Sequence, residues 1–106
     1  MTAKEFVQAA KEEKQNTMSI YFSAGSKTKV GQMIQELINM GVPKESLFQL
    51  VDNILNENYY SLMLAMDGET SLGGIQMMYK LFDEDGNELT GSGDIESEAF
   101  EQFMCV

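Results

Sequence analysis

The residues best supplied to do chemistry in this 106-residue chain are carboxylates. Between positions 67 and 101 lie Asp67, Glu69, Asp83, Glu84, Asp85, Glu88, Asp94, Glu96, Glu98 and Glu101, against one base, Lys80. Grouped carboxylates can ligate a divalent cation, work as an acid/base pair, or offer a face to a basic partner. The densest group, Leu81-Phe82-Asp83-Glu84-Asp85-Gly86-Asn87-Glu88-Leu89, tests the first of these. Aligning Gly86 with the glycine of an EF-hand loop puts Leu81 at the first ligand position and Ser92 at the last. Neither is a carboxylate, so the calcium register fails and no metal is expected. The run reads instead as an acidic turn, with Gly86 supplying a positive φ.

A second candidate is Ser23-Ala24-Gly25-Ser26-Lys27-Thr28-Lys29, which follows a strand-like stretch and opens a helix. That is where a phosphate loop belongs. The nucleotide-binding pattern needs glycine just before the Lys-Thr pair and again five residues earlier, where this chain has Ser26 and Tyr21. A weak anion site at Ser26, Lys27, Thr28 and Lys29 is the reading that survives.

Nucleophilic chemistry is poorly supplied. With no histidine there is no Ser-His or Cys-His pair, and the commonest base at neutral pH is missing. The lone Cys105 builds neither an internal disulfide nor a thiolate metal site, and it is not a prenylation signal, which needs its Cys fourth from the end. Paired carboxylates at this density arise by accident. The expectation is a protein that is not an enzyme and holds no cofactor.

Charge separates the two halves. Residues 1–50 hold six Lys and five Glu, for +1, and residues 51–106 hold one Lys and twelve acids, for −11, which together give the net −10. Such a surface repels nucleic acid and anionic membrane, and the absence of arginine removes the usual bidentate phosphate contacts. No apolar run approaches the roughly 18 residues of a spanning helix, and Met1–Glu5 leads into no apolar signal segment. The chain reads as a cytoplasmic domain, 43% hydrophobic and able to fold around a core.

The elements that must position these residues can be read in order. Thr2-Ala3-Lys4-Glu5 is a capping box, predicting a helix over about 3–15 with a polar second half. Met18, Ile20 and Phe22 alternate with Ser19, Tyr21 and Ser23, predicting a strand over 17–24. Val30, Met33, Ile34, Leu37 and Ile38 form a core-facing helical stripe, stopped by Gly41 and Val42-Pro43. A further stripe of Leu47, Leu50, Val51, Ile54, Leu55, Tyr59, Leu62, Met63 and Met66 predicts helix over 43–66, with a bend expected near Asn58. A hairpin of strands at 75–82 and 88–91 then leads to a final helix capped by Asp94. The expected fold is a single α+β domain: four or five helices packed with a small mixed sheet that includes the hairpin.

Three functions fit this frame. The first is a binding protein that neutralises a basic partner, in the manner of an immunity protein or nucleic-acid mimic acting on a toxin nuclease. Its contacts are expected from the ten acids above together with Tyr60, read as the outward member of Tyr59-Tyr60. The second is a structural or regulatory homo-oligomer using Met and Tyr surface, such as Met77-Met78. The third is a small-anion binder or enzyme at the Gly25–Lys29 loop.

Overall fold

The structure is a computed structural model that describes residues 1–105. It contains α1 (Ala3–Tyr21), α2 (Lys29–Asn39), α3 (Lys44–Met66) and α4 (Asp94–Ala99), the last passing directly into a π-helical turn, Phe100–Met104. Among the described residues no β-strand forms. Only two isolated bridges appear, Leu72 with Ile75 and Phe82 with Glu88. The expected α+β architecture is therefore overturned; the fold is helical.

Each predicted strand failed for its own reason. The capping box forms as expected, with Glu5 N–H donating to Thr2 Oγ1 at 3.1 Å and Thr2 N–H donating to Glu5 Oε1 at 3.1 Å. The helix it starts meets neither glycine nor proline before Gly25, so it runs on through 17–21. Met18 and Phe22 alternate with polar neighbours, but they also stand four apart. The helical spacing wins: Met18 is buried and Ile20, the middle member, is 52% exposed.

The hairpin fails because its return arm is cut short. Leu89 N–H donates to the Leu81 carbonyl at 2.8 Å, yet the Leu81 N–H goes to the Thr90 hydroxyl at 3.0 Å. Gly91 then turns the chain at φ +94°, a backbone state that favours glycine. The ladder ends after one rung.

The bend expected near Asn58 is also absent. α3 is one unbroken helix of 23 residues, carried across Asn56-Glu57-Asn58 because Tyr59 and Met63 pack into a core. Nor is the later half of α1 uniformly wet. Lys14 is 4% exposed and paired with Asp52. Lys11 Nζ donates to the Gln102 carbonyl at 2.6 Å, 5.6 Å from the centre of the Phe103 ring. The helix stop at Gly41 is as read, at φ +101°, with the Val42 N–H donating back to the Leu37 carbonyl.

The chain divides into two compact units, one of residues 1–11 with 56–106 and one of residues 12–55. The first has a defined core of Val7, Met63, Leu89, Ile95, Ala99 and Phe103, joined by half-buried Phe6, Tyr59, Tyr60 and Leu81. The second encloses Met18, Ile34 and Leu47 along with Lys14 and Gly31. The α2 stripe expected to face a core is only partly enclosed there. Ile34 is buried, whereas Met33 is 59% exposed. Three helical segments offer more apolar side chains than they can cover.

Candidate functional site

Nine of the twelve units of excess negative charge expected of the acids in 1–11 with 56–106 survive its three lysines, for a net −9; residues 12–55 carry four Lys and five acids, for −1. The ten acids singled out by sequence all lie in the first unit, but the fold uses them in two ways.

Asp67 is the clearest internal one. It is 2% exposed, its Oδ1 accepts the Gly91 N–H at 2.9 Å, and its Oδ2 accepts the Glu96 N–H at 3.1 Å. α4 has Gly93 at its N-cap position, with φ +85° and no side chain to give. Asp67 therefore serves from a distance as the helix cap, a carboxylate at a helix N-terminus where the dipole favours it. The cap expected from Asp94 is not made; Asp94 opens the helix and is exposed, its N–H donating to Ser92 Oγ at 3.3 Å.

Asp83 is also occupied. Its Oδ1 accepts from the backbone N–H groups of Asp85 and Asn87, and its Oδ2 accepts from Asn87 Nδ2 and from the terminal ammonium at 2.7 Å. These donors, the ammonium first, hold its carboxyl well below the usual range. Asp83 thus builds the turn rather than decorating it, with Gly86 in the positive-φ state at +85°.

Glu96 is half-buried. Burial first, then the nearby Glu69 carboxylate, raises its carboxyl above the ordinary value, and Asp67 adds further repulsion. One oxygen of half-buried Glu98 is enclosed with no hydrogen-bond donor among the described residues.

The remaining acids, Glu84, Asp85, Glu88, Asp94 and Glu101, are exposed, as is Glu69. Glu84, Asp85 and Glu88 stand together on the turn that Asp83 organises. Tyr60 is not a free-standing anchor. It is half-buried against the core, its ring edge-on to Phe100 at 6.2 Å, while Tyr59 stacks on Phe103 at 5.3 Å.

The Gly25–Lys29 loop spends its hydroxyls on itself. Thr28 is the N-cap of α2, its Oγ1 accepting the Gly31 N–H at 2.9 Å, and the Ser26 and Thr28 hydroxyls bond each other at 2.9 Å. Lys27 and Lys29 remain as exposed cations beside an occupied cap. Two open pockets lie elsewhere: about 360 Å³ lined by Lys44, Glu45, Phe48 and Gln49, and about 420 Å³ lined by Asn58, Ser61, Leu62, Thr70, Ser71 and Leu72. Neither contains any of the sequence-selected residues. Among the described residues no cluster of three metal-ligating side chains forms, and no helix is long and apolar enough to cross a membrane.

The run Gln76–Leu81, expected as the first strand of the hairpin, keeps Met77 and Met78 exposed and its backbone is left without a ladder. Comparison with protein-family models, curated proteins and solved structures finds no match for this chain.

Proposed function

We propose that the chain is a binding protein that captures a basic protein partner, of the inhibitor or immunity type, through the exposed acids of residues 56–106. The observation that carries this reading is the turn itself. Asp83 is consumed in fixing the backbone, and that rigid support presents Glu84, Asp85 and Glu88 outward on a unit of net −9. Preset carboxylates raise the rate of encounter with a positive surface and can take the places of phosphates. Asp67 and Asp83 belong to the support, and Glu69, Asp94 and Glu101 extend the face.

The test is capture from the source cell at low ionic strength, followed by elution with salt and identification. A basic protein should elute, and Glu84→Gln with Asp85→Asn and Glu88→Gln should slow its capture at least tenfold while the helical signal is kept. Unchanged capture kinetics in the triple variant defeats the reading.

A second reading, self-association, is favoured by one observation. The near-neutral unit 12–55 exposes Ile20, Val30, Met33, Phe48, Leu50, Ile54 and Met40, the last at 79%. Apolar patches of this kind mark contact surfaces. An assembly held by them should persist at high salt, where the acidic capture is released.

A further inference from the structure

We infer that the unpaired backbone of Gln76–Lys80 takes up an extended, lysine- or arginine-bearing segment of the basic partner by strand-like pairing; the inference rests on the acidic-capture reading above.

The outgoing arm of the acidic turn is longer than its return. Residues 76–81 run without helix, turn or bend, while the return arm pairs only from Asn87 to Leu89 before Thr90 substitutes its hydroxyl and Gly91 turns away. Gln76 to Lys80 therefore overhang, and among the described residues no backbone partner meets their N–H and C=O groups. An unpaired row of this kind is the template for strand addition.

The overhang is nonetheless fixed in place by side chains. Gln76 Nε2 donates to the Gly68 carbonyl at 2.9 Å. The Met78 thioether lies on Gly68, where a Cβ would stand 2.2 Å from its sulfur. At the other end the Leu81 N–H is tied to Thr90. A segment pinned at both ends with a free backbone loses little entropy on pairing, and preorganisation of this kind favours affinity.

Charge selects the occupant. The Gly68 anchor places one end of the overhang beside Glu69, and the other end leads into the Asp83–Glu88 turn. A second copy would bring two units of net −9 together, so a basic segment is the complementary choice. Exposed Met77 and Met78 offer adaptable apolar contact to its alternate side chains.

The probe is a short alternating lysine–valine peptide and the same peptide methylated on every backbone nitrogen, which keeps charge and side chains but removes the donors. The unmethylated peptide should slow amide exchange at residues 76–80, and the methylated one should bind at least tenfold more weakly. Equal affinity of the two peptides with unchanged exchange overturns strand addition. In that case, weaker binding of both by the Glu84, Asp85 and Glu88 variant leaves the acidic face standing. No binding of either peptide, alongside intact capture of the natural partner, likewise overturns strand addition alone.

Discussion

Each of the two units encloses one charge, and they resolve it differently. In residues 1–11 with 56–106 the buried group is Asp67, and its partners are backbone N–H groups of Gly91 and Glu96. In residues 12–55 it is Lys14, and its partner is a side chain, the carboxylate of half-buried Asp52. A buried charge satisfied by backbone dictates where the chain goes, because moving the chain strands the charge. A buried charge satisfied by a side chain only joins two helices that already exist. Asp67 therefore specifies a loop and a helix start; Lys14–Asp52 is a fastening that hydrophobic packing could replace.

Removing Asp67 is expected to have the largest effect. Asp67→Ala strands two backbone donors and removes the cap of α4, costing roughly 3–4 kcal/mol in chemical denaturation. Asp67→Asn should lose most of this as well, since one amide oxygen replaces two carboxylate oxygens. Asp52→Ala comes next at roughly 2–3 kcal/mol, less than a fully buried pair would cost because Asp52 is partly solvated. The contrast sharpens with Lys14→Met plus Asp52→Leu, which should return to within about 1 kcal/mol of the parent. No double replacement of that kind rescues Asp67, whose partners are main chain. A double variant as unstable as Asp52→Ala alone would break the comparison.

The Gly31→Ala substitution has a sign opposite to the usual one. In an exposed helix, Gly to Ala stabilises by about 0.5–1 kcal/mol. Here a Cβ would meet Ser26 Oγ at 2.1 Å, Ser26 Cβ at 2.4 Å and Thr28 Oγ1 at 2.9 Å. The loop must move and the Thr28 cap with it, so a loss of about 1–3 kcal/mol is expected in thermal or denaturant melts. Ser26→Ala with Gly31→Ala would still clash, since Ser26 Cβ remains.

How legible this was in the sequence depended on whether a signal was local. The Thr2–Glu5 capping box, the Gly41 stop, the start of α2 at Lys29 and the Gly86 turn are set by neighbouring residues and were readable as such. The strand over 17–24 was not, because alternation at 18, 20 and 22 coincides with helical spacing at 18 and 22, and only burial separates them. The hairpin was misread because its ladder is cut by Thr90 and by an Asp67–Gly91 bond spanning 24 positions. Long-range bonds also decided the site. Nothing local distinguishes Asp67 from Glu69, or Asp83 from Glu84, yet one of each pair is consumed by the fold and the other faces solvent.

That division gives the smallest and most specific prediction, at Glu96. Its carboxyl is raised above the ordinary 4.5 by burial, by Glu69 and by Asp67. A raised acid binds its proton more tightly in the folded state, so its ionisation penalises folding. The penalty is absent below the ordinary glutamate value and complete once pH exceeds the raised one. Stability should thus improve as pH falls through that window, until the opposite contributions of Glu5 and Asp83, both lowered in the fold, are lost at still lower pH. Glu96→Gln keeps the side-chain length and gives a donor to the Glu69 carboxylate. It should melt slightly higher than the parent at neutral pH and show no advantage below the ordinary glutamate range. A gain that stayed constant with pH would mean that burial beside Glu69 and Asp67 does not raise the Glu96 carboxyl, and that the gain comes from packing rather than charge.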